Sequence, residues 1–216
     1  VRLAARDPAA VSADATDIRL RHSVEVTTHR FDALDTASFA EFVEELPELP
    51  DVVISAVGFM GDQTESQRDP QAAALVLRSN FEGPALFLGL MAERFEARGF
   101  GALIGISSVA GDRGRASNYV YGAAKAGFSA FLSGLRNRLS RTAVKVITVK
   151  PGFVATKMTE GMDLNPRLTA TPDAVAEAIF NGQNKGRNVI YVKPIWWLVM
   201  SIICALPEMI FKKTQL

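Results

Sequence analysis

The chain has 216 residues, 48% of them hydrophobic, with 24 basic and 23 acidic side chains and a formal net charge of +1. That length and apolar content suit one substantial core, while the charge balance excludes the strongly basic footprint of sequence-independent nucleic-acid binding. The lone cysteine, Cys204, excludes an intramolecular disulfide and fits a reducing compartment.

From the start of the chain, residues 1–12 mix Arg2, Arg6 and Asp7 with short apolar steps and build no signal-peptide core. Residues 1–5 (VRLAA) read as a strand and 24–31 (VEVTTHRF) as a second, half-buried one, with a short helix opened by Pro8 between them. His22 and His29 stand seven residues apart with no further ligand at metal spacing, so no metal site is predicted. Phe39, Phe42, Val43 and Leu46 fall on one face of a helix that Leu49-Pro50 ends. Residues 52–57 (VVISAV) predict a strand covered on both faces. Pro70 to about Arg98 predicts a long helix disturbed at Gly83-Pro84, because proline removes a backbone donor.

The cycle then repeats: strand 102–107, helix from Tyr119 to about Arg141, strand 144–149. Thr171 followed by Pro172 is a hydroxyl cap before a first-turn proline and starts a helix running through Phe180. Strand 188–192 closes the set. This alternation predicts an α/β protein with a mostly parallel sheet, as one domain over 1–193 followed by an apolar tail over 194–216. In that tail, residues 195–211 are apolar nearly all round, and Lys212 and Lys213 follow. Pro207 interrupts them short of the roughly 20 residues a bilayer span needs. A lid over a pocket, a homo-oligomer contact and a helix at a membrane surface all remain open.

Tyr121 and Lys125 are four residues apart near a helix start and so share one face. An ammonium beside a phenol favours the phenolate, which suits general acid/base chemistry. The spacing is common by chance; the segment before it adds weight. The strand at 102–107 runs into Ser107 and Ser108 and a small-residue loop. Ligands in open α/β sheets bind beyond the carboxyl ends of strands, where a hydroxyl can meet a substrate carbonyl.

Ser108, thirteen residues before Tyr121 and followed by Lys125, resembles the catalytic triad of the short-chain dehydrogenase/reductases. Asn80 in RSNFEG matches the family's helix asparagine, and Pro151, Gly152, Val154 and Thr156 in PGFVAT resemble its nicotinamide-contacting motif. The resemblance covers residues 2 to about 193. It implies a Rossmann-like, doubly wound, three-layer αβα fold that acts on a small carbonyl compound or alcohol. Tyr121 would be the acid/base, and Lys125 would hold the nicotinamide ribose and lower the tyrosine pKa. Ser108 would orient the carbonyl, and Asn80 would anchor a proton-relay water. Ser107 reads as a strand-end residue.

On the cofactor side, Asp32 in FDALD resembles the family's adenine-contacting aspartate, with a plain turn as the other reading. Ser55-Ala56-Val57-Gly58 stands where the family writes Asn-Asn-Ala-Gly; Ala56 and Gly58 keep the cofactor approach, and the asparagine bonds must be replaced. Arg6, after the first strand, is the residue type that accepts a ribose 2′-phosphate, which favours NADP(H) over NAD(H). The family's first strand and TGxxxGxG turn do not precede Val1. The resemblance therefore implies an upstream unit of roughly 30 residues, and poor dinucleotide binding without it. Met158, Met162 and Leu164 predict an apolar substrate pocket. The stretch from Arg167 to Val192, with its tryptophan-containing sequel, resembles reductases of lipid-linked (polyprenyl-phosphate) pentose. The expectation is a cytoplasmic homo-oligomeric enzyme, with membrane-surface contact through 195–211 as one of the open readings of the tail. The rival is a non-catalytic binding or assembly protein that keeps the fold.

Overall fold

The computed structural model describes residues 1–214 and divides into two compact units, Val1–Pro47 and Glu48–Leu216. In the first unit, β1 (Arg2–Ala5) enters a 3-10 turn at Pro8–Val11, then α1 (Ser12–His22), β2 (Thr27–Arg30) and α2 (Phe39–Glu44). The turn opens as proline and an acidic cap dictate: Pro8 takes the first position, and the Asp7 carboxylate accepts from the Ala9 amide at 3.0 Å. β1 and β2 pair in parallel, Leu3 opposite Thr28. The strand expected over 24–31 shrinks to four residues because the Val26 carbonyl accepts from the Arg19 guanidinium at 2.6 Å. Phe31 stacks on Phe39 with ring centroids 5.1 Å apart, over buried Val43.

The second unit begins with β3 (Val52–Ser55), α3 (Gln63–Ser66), α4 (Pro70–Leu77) and α5 (Gly83–Arg98), and continues with β4 (Phe100–Ile106), α6 (Tyr119–Arg138) and β5 (Ala143–Lys150). After the short β6 (Phe153–Val154) and β7 (Thr169–Ala170) come α7 (Pro172–Asn184), β8 (Val189–Tyr191), α8 (Ile195–Ala205) and α9 (Glu208–Phe211). The main sheet has the order β3-β4-β5-β8, every neighbouring pair parallel.

Alternation along β4 assigns its two faces. A Cβ at Gly105 would strike Leu132 and Phe128 of α6, so this face lies under the α5 and α6 layer, where Leu88, Phe95, Phe128 and Leu132 are buried. Ile104 points the other way, into a cluster with Ile147 and Val149 of β5 and Val175 and Ile179 of α7. Helices therefore flank a parallel sheet on both faces, a Rossmann-like α/β architecture.

Three expectations change. β3 is not covered on both faces: it is an edge strand of this sheet, and Ile54 is 51% exposed. The disturbance foreseen at Gly83-Pro84 falls just before it, as a π-helical turn over Arg78–Glu82. Pro84 has no N–H to offer the carbonyl of Asn80 four residues back, so the chain cannot continue in regular α register there. The boundary expected at 193/194 is absent. Trp196 and Met200 of α8 are buried with Val109 in one cluster inside the second unit, while Trp197, Leu198 and Ile202 stay exposed. Among the described residues no helix is long and apolar enough to cross a membrane.

Arg113 secures the tail. Its guanidinium donates to the carbonyls of Ile203 and Leu206 at 2.6 Å each and to Glu208 at 2.9 Å, and lies 3.7 Å from the centre of the Phe211 ring. The carbonyls at the C-terminal end of α8 thus meet a cation, the favourable sign there.

Candidate active site

β4 ends at Ile106, and Ser107 and Ser108 follow at its carboxyl end. Ser107 Oγ donates to the carbonyl of Lys125 at 2.9 Å and shares a 2.7 Å hydrogen bond with Ser129 Oγ, which ties the strand end to α6. Ser108 caps the 3-10 turn Val109–Gly111, its Oγ accepting from the Ala110 amide at 3.1 Å. The Val109 amide in turn donates to the Pro151 carbonyl just beyond β5. This turn lies directly on the α6 backbone, and a Cβ on Gly111 would come within 2.6 Å of the Ala126 nitrogen. Glycine is required there, since backbone cannot give way as a flexible side chain can.

Tyr121 and Lys125 sit one turn apart on α6. Lys125 is only 3% exposed; its Nζ donates to the Ile106 carbonyl at 3.0 Å and lies 5.7 Å from the centre of the Tyr121 ring. Burial pulls the Lys125 pKa down to about 8. Burial also pushes the Tyr121 phenol above its ordinary value, with the neighbouring Ser108 hydroxyl acting in the opposite direction. Desolvation is the largest influence on the phenol, and the Lys125 amine donates to a backbone carbonyl.

Asn80, fully buried in the π turn, spends its amide on Phe59 and Val76. Nδ2 donates to the Phe59 carbonyl at 2.5 Å and to the Val76 carbonyl at 2.8 Å, and Oδ1 accepts from the Phe59 amide at 3.2 Å. The side chain pins the loop after β3 to α4.

A cavity of about 630 Å³ joins these groups. Ser108, Tyr121 and Lys125 line it together with Ala56, Gly58, Pro151, Gly152, Val154 and Thr156, so nine residues singled out from the sequence meet in one place. Every lining residue belongs to the second unit, and none is Asp or Glu. Arg6 and Asp32 belong to the first unit. Arg6 is exposed just past β1, and Asp32 Oδ1 accepts from the Leu34 amide at 2.9 Å in a turn. Met158 lines the cavity as expected; Met162 and Leu164 do not, and Met162 is exposed.

Among the lining residues that the sequence did not assign to a pocket are the polar Arg115 and Asn118; Trp196, in the segment for which a lid was one reading, also lines it. The Trp196 indole N–H donates to the Leu168 carbonyl at 2.9 Å, and its ring lies so close to Gly152 that a Cβ there would come within 2.0 Å of it. The glycine of the Pro-Gly pair was the available signal, since it marks a close approach. Among the described residues no cluster of three or more potential metal ligands occurs.

The residues present fit the nicotinamide end of a dinucleotide. The volume lies in the range of small-molecule sites, about 300–1,000 Å³. A Cβ on Gly58 would sit 3.3 Å from Asn80 Oδ1 and 3.7 Å from Lys125 Nζ, so a side chain there would fill the space beside the lysine.

A parallel sheet flanked by helices, with a cavity beyond the carboxyl ends of its strands, is the arrangement of Rossmann-like oxidoreductases. The family profile described as short chain dehydrogenase matches residues 1–166, and the chain belongs to that family. It is 34% identical over 207 residues to an uncharacterized oxidoreductase of Mycobacterium tuberculosis, covering 94% of this chain and 82% of the relative. It is 36% identical over 216 residues to an uncharacterized oxidoreductase of Streptomyces coelicolor, covering 99% and 84%. Among solved structures, a short-chain dehydrogenase from Sphingobium yanoikuyae in complex with NADPH superposes with a TM-score of 0.79 at 21% identity, over 96% of this chain and 86% of the other. A short chain dehydrogenase from Burkholderia cenocepacia in complex with NADP gives 0.80 at 19% identity, over 97% and 84%. At those identities the structural matches speak for the fold.

Proposed function

We propose that this chain is an NADP(H)-dependent oxidoreductase that reduces a carbonyl to a secondary alcohol and runs the reverse oxidation, with Ser108, Tyr121 and Lys125 as its catalytic residues. The observation that carries this reading is their convergence on one cavity that no carboxylate lines. Tyr121, held above its ordinary pKa by burial, keeps its proton at neutral pH, the form needed to protonate a carbonyl oxygen during reduction. The Ser108 hydroxyl donates to the same oxygen and orients it. Once the proton has left, a protonated Lys125 one helical turn away stabilises the phenolate. With an amine pKa of about 8, the lysine carries that charge through the neutral range.

Lys125, Gly58 and the Pro151–Thr156 segment would hold the nicotinamide ribose and ring, which when bound supply the hydride to the carbonyl carbon or accept it from the alcohol. Preference for NADP(H) rests on Arg6 beyond β1, where a guanidinium suits a 2′-phosphate. The neighbouring Asp7 carboxylate is occupied in capping a turn. Two solved structures sharing the fold are complexes with NADPH and NADP. The test is NADPH oxidation against a panel of ketones by wild type and Tyr121→Phe. The variant should lose at least about 100-fold in turnover and keep its circular dichroism; retention of more than about a tenth of the rate would remove Tyr121 from the mechanism.

A further inference from the structure

Among the described residues, the buried side-chain polar atoms without a hydrogen-bond partner are Gln63 Nε2, Arg115 Nε and Asn118 Oδ1. All three gather at the start of α6. Gln63 Oε1 accepts from the Val120 amide at 3.1 Å, Asn118 is the residue preceding the helix, and the Arg115 carbonyl accepts from the Asn118 amide at 3.1 Å. Buried polar groups are otherwise nearly always paired, so three orphans in one place mark an unmet polar demand at the start of α6. Arg115 and Asn118 also line the cavity that holds Ser108 and Tyr121.

The electrostatics sharpen the choice of ligand. The carboxylate that acts on Arg115 is that of Asp112, and both its oxygens are engaged elsewhere. Lys150 Nζ donates to Oδ1 at 2.5 Å and the Tyr191 hydroxyl to Oδ2 at 2.9 Å. Desolvation outweighs that partner in its effect on the guanidinium. A guanidinium does not give up its proton in a protein, so the cavity wall carries a positive charge whose neighbouring carboxylate, Asp112, is shared with Lys150. With Lys125 it makes two cations and no acid around largely apolar walls. Lys125 is committed to the Ile106 carbonyl and the reacting end, whereas Arg115 lies in the loop between Ser108 and Tyr121, the two groups that meet the carbonyl oxygen.

We propose that Arg115 and Asn118 form a substrate subsite for an anionic group, a phosphate or carboxylate carried by the carbonyl compound. Arg115 takes the anion, and Asn118 Oδ1 accepts from a neighbouring substrate hydroxyl. This rests on the oxidoreductase reading above and narrows its substrate class. Planar guanidinium matches the oxygens of either anion in a bidentate pair.

The experiment uses three aryl ketones identical except for a para phosphate monoester, carboxylate or carboxamide, each reduced with NADPH by wild type, Arg115→Ala and Arg115→Lys. Wild type should favour the anionic ketones by kcat/KM, with the phosphate and carboxylate arms separating the two anions. Arg115→Ala should collapse that ratio by about tenfold to a hundredfold, and Arg115→Lys should keep part of it. Binding is read separately, by calorimetric titration of phenyl phosphate and of benzoate into each protein at saturating NADPH, with the same loss expected. Equal handling of charged and neutral ketones by wild type, or unchanged phenyl phosphate and benzoate affinity in Arg115→Ala, would overturn the subsite. Arg115-dependent anion binding without turnover of any ketone would sink the oxidoreductase reading and leave the anion site standing. Arg115→Lys also guards against misfolding, since it preserves charge and bulk.

Discussion

The hydroxyl of Ser107 donates to the carbonyl oxygen of Lys125, so the end of strand β4 is fastened to the helix turn that carries the Lys125 amine. Both ends of this bond are buried or close to it, and Ser129 shares the same hydroxyl. Ser107→Ala leaves the helix carbonyl and Ser129 without that partner, at a cost of about 1–2 kcal/mol. Urea unfolding should show a lower midpoint at unchanged slope, and an unaltered midpoint would mean that the contact is passive.

Lys125 gives the fold a pH signature. Unfolded, its amine keeps a proton up to an ordinary 10.5; folded, only up to about 8. Between those values unfolding takes up a proton, so stability must rise with pH, and below pH 8 the native state bears the full cost of an enclosed charge. Across that window wild type should gain ~3 kcal/mol relative to Lys125→Met. Thermal melts of the two proteins from pH 7 to 10.5 give the measurement; parallel curves would show that the amine is not desolvated.

Asn80 is expected to matter for architecture before chemistry. Asn80→Ala strips partners from the Phe59 amide and from the Phe59 and Val76 carbonyls. Only the Val76 bond is fully buried and Phe59 is half exposed, so a loss of about 1–3 kcal/mol is expected. If the variant instead melted like wild type but turned over slowly, its role would be confined to the reaction.

Gly111→Ala tests how tightly the serine turn lies on α6. Its Cβ would meet Lys125 and Ala126 backbone atoms at 2.6 Å, and overpacking of this kind costs about 1–3 kcal/mol. Because the turn must lift, Ser108 moves as well, so turnover should fall more than the melting temperature alone would explain. Gly114→Ala, with nothing within 4 Å of its Cβ, is the matched control.

What the sequence disclosed tracks what is local. Thr171-Pro172 announced α7, and the Thr171 hydroxyl does accept from the Ala174 amide; caps and first-turn prolines act within four residues. The helix disturbance near Pro84 was legible for the same reason, although a missing N–H shows its effect four residues earlier, at Asn80. The cavity gathered nine predicted residues because strand ends and a helix face impose their own order. Burial was not legible. The apolar run at 52–57 looked fully covered, yet Ile54 is half exposed in the edge strand of the sheet. Arg115 and Asn118 were invisible, since nothing in the spacing of a loop residue tells which wall it will face, while Trp196 was foreshadowed only by the open lid reading of 195–211.

Arg113 stands five residues after Ser108 in the same short loop, and it grips the end of α8 and the side of α9. The Cys204 thiol adds a contact to the carbonyl of Asp112. The C-terminal helices are therefore tied to the loop that begins at Ser108, and a displacement of 203–211 would meet Arg113 first. A label on Cys204 would be a strain gauge for the reacting end of the cavity.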